Sequence, residues 1–140
     1  MDASTIIHVG SLFSLALLLG SMGFFALIMT PMVFTELPAN TAGLFIRRFF
    51  PVYSRVMAGL ALIAGGLLWQ RPEGWALGGV FAFFIFGWMV LMPRINHYRD
   101  RARAGHKEAE QPFNVLHKTS VLLHSLQFFT VVAVYYRLIA

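Results

Sequence analysis

The chain has no cysteine, and this removes disulfides, thiolate metal sites and thiol nucleophiles in one step. Charge is almost as scarce. Asp, Glu, Lys and Arg make up 12% of the 140 residues, against roughly 25% in an ordinary soluble domain. Acidic groups are the rarer sign, six in all, and none falls inside an apolar stretch long enough to cross a bilayer. Paired-carboxylate hydrolysis, di-iron carboxylate chemistry and carboxylate proton relays therefore lack their parts. A serine triad lacks its buried aspartate, and no G-x-S-x-G turn is present. Any reaction would have to draw its chemistry from a bound cofactor.

What is abundant is apolar surface. Hydrophobic residues make up 58% of the chain and the mean hydropathy is +0.68, which excludes a soluble globular protein. At ~20 apolar residues per crossing the length accommodates about four spans and little else. The reading is an all-α polytopic membrane protein, a single domain over 1–140. It has four antiparallel transmembrane helices, with an interfacial elbow helix between the first and second.

Ala3 to Thr35 holds no charged side chain and forms helix one. Its short polar start, with Asp2 in place of a basic region, reads as a retained span and not a cleaved signal peptide. Glu36 to Arg55 mixes Pro38, Gly43 and Pro51 with arginines and phenylalanines and reads as the elbow, Phe45 and Phe49 facing lipid tails. Helix two follows from Val52 to Gln70. The Arg71-Pro72-Glu73 turn forces helix three, Gly74 to Met92, to run back beside it. Pro93 to Phe113 reads as a solvated loop, and Asn114 to Ile139 as helix four. Ala61-xxx-Gly65 and Gly74-xxx-Gly78 give small-xxx-small faces for close packing, and for self-association or a partner in a larger membrane complex.

The net charge of +5 records topology and does not point to a nucleic-acid partner. Nine of the basic side chains fall beside the first and third connections, while only Arg71 and Arg137 fall at the other end. The positive-inside rule then puts those two connections in the cytoplasm and both termini outside. Trp69, Trp75, Tyr135 and Tyr136 mark an outer aromatic belt. The nine arginines and two lysines fit a bacterial inner membrane.

Polar groups inside the spans carry the functional argument, because lipid makes each of them costly. In helix four, His117, Ser120, His124 and Gln127 are spaced to share one face, which must look inward and is simplest to seal against helix one, with His8, Ser11 and Ser14 near its outer end and Ser21 and Thr30 deeper. Interhelical hydrogen bonding alone accounts for such a stripe, at ~0.6 kcal/mol per contact. A functional reading makes Ser11, His117, Ser120, His124 and Gln127 the lining of a site or pathway. His8, His117 and His124 are candidate ligands for haem or copper, shared between subunits, since His8 and His124 differ by roughly 18 Å in depth. His97 with His117 is the remaining candidate metal pair.

These segments resemble the transmembrane protein 205-like family, a four-helix domain of unknown function. The likeness is carried by His8, by F-T-E-L-P-A-N-T-A-G-L-F-I-R-R-F-F-P-V-Y (Phe34, Leu37, Pro38, Gly43, Phe50, Pro51 and Tyr53), and by F-N-V-L-H-K-T-S (Phe113, Leu116, His117 and Ser120). The chain departs from the family in lacking its helix-one Trp and in placing His124 where an Asn is usual. In architecture it also resembles copper-resistance D-type proteins and the small haem-containing protoporphyrinogen oxidase. The family resemblance implies membrane residence and no defined reaction. Three functions follow as expectations: an accessory, scaffold or transport-related component without catalysis; a haem- or copper-binding redox protein; or a conduit for protons or small solutes.

Overall fold

Four apolar stretches become four long helices, Ala3–Glu36, Ala39–Leu67, Pro72–Arg103 and Lys107–Ile139, in the computed structural model, which describes all 140 residues. Each is long and apolar enough to cross a membrane, so the chain is a multi-pass membrane protein. Each helix packs on its sequence neighbours, and the first also packs on the fourth, closing an up-down-up-down bundle. The apolar arrangement inverts that of a soluble protein. Leu27, Leu122 and Phe129 stand on the outside, more than half exposed, where acyl chains are the solvent.

The interior is held by shape, because burial against lipid supplies no hydrophobic drive between helices. Ala58, Ala61 and Ala64 recur every third residue along the second helix and are buried against the bulkier Leu77, Val80 and Phe84 of the third. At the turn between these two helices the backbones touch. A methyl group on Gly74 would lie 2.2 Å from the Leu68 carbonyl oxygen, and one on Gly65 would lie 3.3 Å from that of Gly74. The small-xxx-small residues Ala61, Gly65 and Gly74 are thus used within the chain, whereas Gly78 faces open space. Trp69, Trp75 and Tyr136 are exposed at this end, while Tyr135 turns partly inward onto the core. Here Arg137 Nε lies 3.1 Å from the buried Glu73 carboxylate, tying the end of the fourth helix to the start of the third.

The helices run past the hydrophobic stretches that mark them. The expected elbow is helical but continuous with the second helix, which passes through Pro51 without a break. Of the two phenylalanines expected to face lipid there, Phe45 is exposed and Phe49 stacks inward on Phe25 and Tyr53. The expected loop from Pro93 to Phe113 is corrected more sharply. The third helix continues to Arg103, and only Ala104–His106 turns, with Gly105 at φ +94°. Arg94 to Ala104 contains neither Gly nor Pro, so leaving the lipid gives the backbone no reason to stop coiling.

Pro31 and Pro93 have equivalent local settings. Each follows a π-helical turn, Phe25–Met29 and Gly87–Leu91, closed by Thr30 N–H to the Phe25 carbonyl and by Met92 N–H to the Gly87 carbonyl. A proline ring collides with the carbonyl four residues earlier and offers no N–H to it. One wide turn accommodates both deficits without a break.

Candidate functional site

Of the fourth helix's polar face, Gln127 lies deepest. It is buried and donates its side-chain amide to the Val80 carbonyl of the third helix at 3.1 Å. One turn earlier His124 is half-buried, its Nε2 lying 3.5 Å from the Tyr53 hydroxyl of the second helix. The imidazole is ringed by Phe25, Tyr53 and Phe84, with centroids 5.8 to 6.3 Å away. The deep half of the stripe, His124 and Gln127, turns inward, and its partners come from the second and third helices as well as the first. Gln127 finds a carbonyl partner on the third helix and His124 a side-chain partner on the second, while the first helix brings the Met22 backbone and the Phe25 ring to His124 and Thr30 to the same space.

Other hydroxyls on the fourth helix need no neighbour. Thr119, Ser120, Ser125 and Thr130 donate to carbonyls three or four residues back along their own helix. Such self-contained bonds let a hydroxyl face lipid or an empty space at little cost.

Beside His124 lies a cavity of about 250 Å³, bounded by all four helices. Its walls are mostly apolar, with Phe25, Phe50, Phe84 and Leu91 among them, and its polar groups are Thr30, Arg99, His117, Ser120, His124, Ser125 and Gln127. This combination of apolar wall and few convergent polar groups is typical of small-ligand sites, whose volumes start near ~300 Å³. The Thr30 hydroxyl, the Asn96 side-chain amide oxygen Oδ1 and the Ser54 hydroxyl are buried and have no hydrogen-bond partner.

The opening comes from the first helix. Ala3–Phe24 packs on the fourth helix, but beyond the π turn Thr30–Glu36 stays with the second helix and makes no comparable contact with the fourth. The two helices part between Phe34 and Val121, both exposed and both at the cavity wall. The exposed wall residues leave the cavity accessible on this side, in the half of the bundle that carries Arg99.

Not every residue singled out in the sequence comes to this place. His8 is exposed in a separate, more open recess of about 590 Å³ at the tryptophan end, formed with Ser4, Thr5 and Leu67–Arg71. His8 and His124 do not meet within one chain. Ser11 is fully buried and donates to the Ile7 carbonyl at 2.7 Å. Between its level and that of Gln127 the bundle is filled by the fully buried Leu15, Leu18, Met22, Leu77 and Val131. The polar path from Ser11 to His124 is therefore interrupted by a dry plug. His97 is exposed and edge-on to Tyr98, and His117 is exposed and stacked on Phe113. Nowhere do three or more His, Asp or Glu side chains assemble as a metal-binding group.

Thr30, expected among the deeper polar groups of helix one, does come to the cavity, whereas Tyr53 and Arg99 were not among the residues singled out for this site. The uninterrupted helical sequence from Arg94 to Ala104 was the available signal for Arg99, since it brings that residue back over the bundle. A family model described as a domain of unknown function, DUF4149, matches residues 13–104. No curated protein and no solved structure matches the chain.

Proposed function

Because the chain belongs to the DUF4149 family, a domain of unknown function, we propose its role from its own geometry: an accessory or transport-related membrane component that holds a small amphiphilic molecule without transforming it. The observation that carries this reading is the cavity beside His124, apolar for most of its wall, polar at a few converging points, and accessible between the first and fourth helices. A molecule already dissolved in the membrane reaches such a mouth without crossing water. Thr30, with its unpaired buried hydroxyl, and the Tyr53–His124 pair supply hydrogen-bonding capacity inside.

The likeness to the transmembrane protein 205-like family supports the same place. Of the residues that carry it, Phe34, Phe50, His117 and Ser120 line the cavity, and Tyr53 stands against His124. We assign the arginine-rich end to the cytoplasm of a bacterial inner membrane, on the charge asymmetry.

Native mass measurement on protein extracted from its own membrane in mild detergent tests the reading. A stoichiometric small-molecule adduct is expected. Ser120→Phe, which puts a ring into the cavity from a position that makes only a bond to its own helix, should abolish the adduct while helicity and melting stay unchanged. Wild-type protein that carries no adduct would overturn the proposal.

A further inference from the structure

The cavity ends at an arginine that forms no salt bridge of its own. Arg99 lines the arginine-rich end of the cavity, half-buried. Its guanidinium sits 5.8 Å from the Phe113 ring centre and reaches the Gly43 carbonyl at a long 3.4 Å. The acid beside it in sequence, Asp100, is engaged by Arg47 at 2.6 Å. The other arginine–carboxylate pairs, Arg101 with Glu108 and Arg137 with Glu73, lie elsewhere.

A second guanidinium converges on the same point. Arg103 donates to the Ala39 carbonyl at 3.2 Å. A methyl group at Gly43 would lie 3.2 Å from Arg103 Nη2 and 3.4 Å from Arg99 Nη1, so both charges meet over one α-carbon. Arg103 is exposed and Arg99 half-buried at the cavity, so an anion seated between them would relieve their mutual repulsion at a point that both water and the cavity reach. Guanidinium pairs are suited to phosphate or carboxylate oxygens, which they hold with several N–H groups in fixed geometry.

We propose that Arg99 and Arg103, meeting at Gly43, hold the anionic headgroup of an amphiphile whose apolar part enters the cavity between the first and fourth helices. This deepens the functional reading above and rests on it. The ligand class is a lipid or fatty acid carrying a phosphate or carboxylate, taken from the leaflet at the arginine-rich end. The apolar wall accounts for the tail and the arginines for the head. A free inorganic anion would leave the apolar wall unused.

The test is lipid retention by the full chain, reconstituted in vesicles of phosphatidylcholine with equal phosphatidylglycerol, re-extracted and weighed intact. Wild type should retain phosphatidylglycerol over phosphatidylcholine. Arg99→Gln and Arg103→Gln should each lower that preference about tenfold, equivalent to ~1.4 kcal/mol, and Arg99→Lys should restore part of it. Arg101→Gln, which removes the same charge away from the cavity, should leave the preference intact. Equal retention of both lipids, lost in Ser120→Phe, would overturn the headgroup assignment and keep the cavity reading. Retention of neither lipid, with no native adduct, would overturn both. Binding of inorganic phosphate in 10 mM buffer, about that concentration being chosen to saturate weak anion sites, with no lipid retained, would overturn the amphiphile in favour of a free anion.

Discussion

At the scale of single residues, the bundle depends on a few atoms with no room to move. Gly74 is the clearest, since a methyl group there would meet the Leu68 carbonyl at 2.2 Å, a backbone atom that cannot rotate away. Gly74→Ala is therefore expected to lose about 1–3 kcal/mol, read as a lower denaturation midpoint in detergent. Gly78→Ala, with nothing within 4 Å, should be neutral or gain up to ~1 kcal/mol from helix propensity. Glu73 and Arg137 form an asymmetric pair, the carboxylate buried and the guanidinium two-thirds exposed at 66%. Arg137→Gln strands a buried charge, whereas Glu73→Gln frees an arginine that water already reaches. The first should destabilise more than the second, and the double variant should recover part of the loss in a double-mutant cycle. Equal losses for the two single variants would contradict this account.

The element that shapes the candidate site is the first helix, and within it the π turn before Pro31. That turn resets the facing of Thr30–Glu36 and lets the segment leave the fourth helix. With Pro31→Ala the N–H returns and the ring is gone, so the segment is free to relax to an ordinary α-helix. It should then rotate by about one residue, ~100°, and narrow the mouth. The absence of native cysteines makes this measurable. A single Ser125→Cys at the cavity wall should react with a small lipid-soluble maleimide several-fold more slowly in the Pro31→Ala background. An unchanged rate would show that the opening does not depend on the wide turn. The elements also show where sequence reading stops. Hydropathy marked the lipid-facing stretch of the third helix and ended it at Met92, yet the helix continues to Arg103. Hydropathy reports where a helix leaves the membrane, whereas hydrogen bonding and propensity decide where it ends.

At the scale of the whole molecule, charge asymmetry assigns an orientation that single cysteines can check. With Ser4→Cys at one end and Ala104→Cys at the other, a membrane-impermeant maleimide should label the first in intact cells. The second should react only after permeabilisation, and the reverse pattern would overturn the orientation. The sequence by itself determined the all-α class, the four spans and their alternating direction, because lipid penalises every unsatisfied backbone group and every charge so heavily that composition leaves few alternatives. It also determined that Gln127 and His124 face inward, for the same reason. Which neighbours receive them was decided only by the tertiary structure. Val80 and Tyr53 meet the stripe, and Arg99 returns to the cavity, through contacts between residues far apart in the chain. Helical periodicity gives the direction in which a side chain points. What it meets there depends on how four rods pack, and that is fixed by the shapes of all of them together.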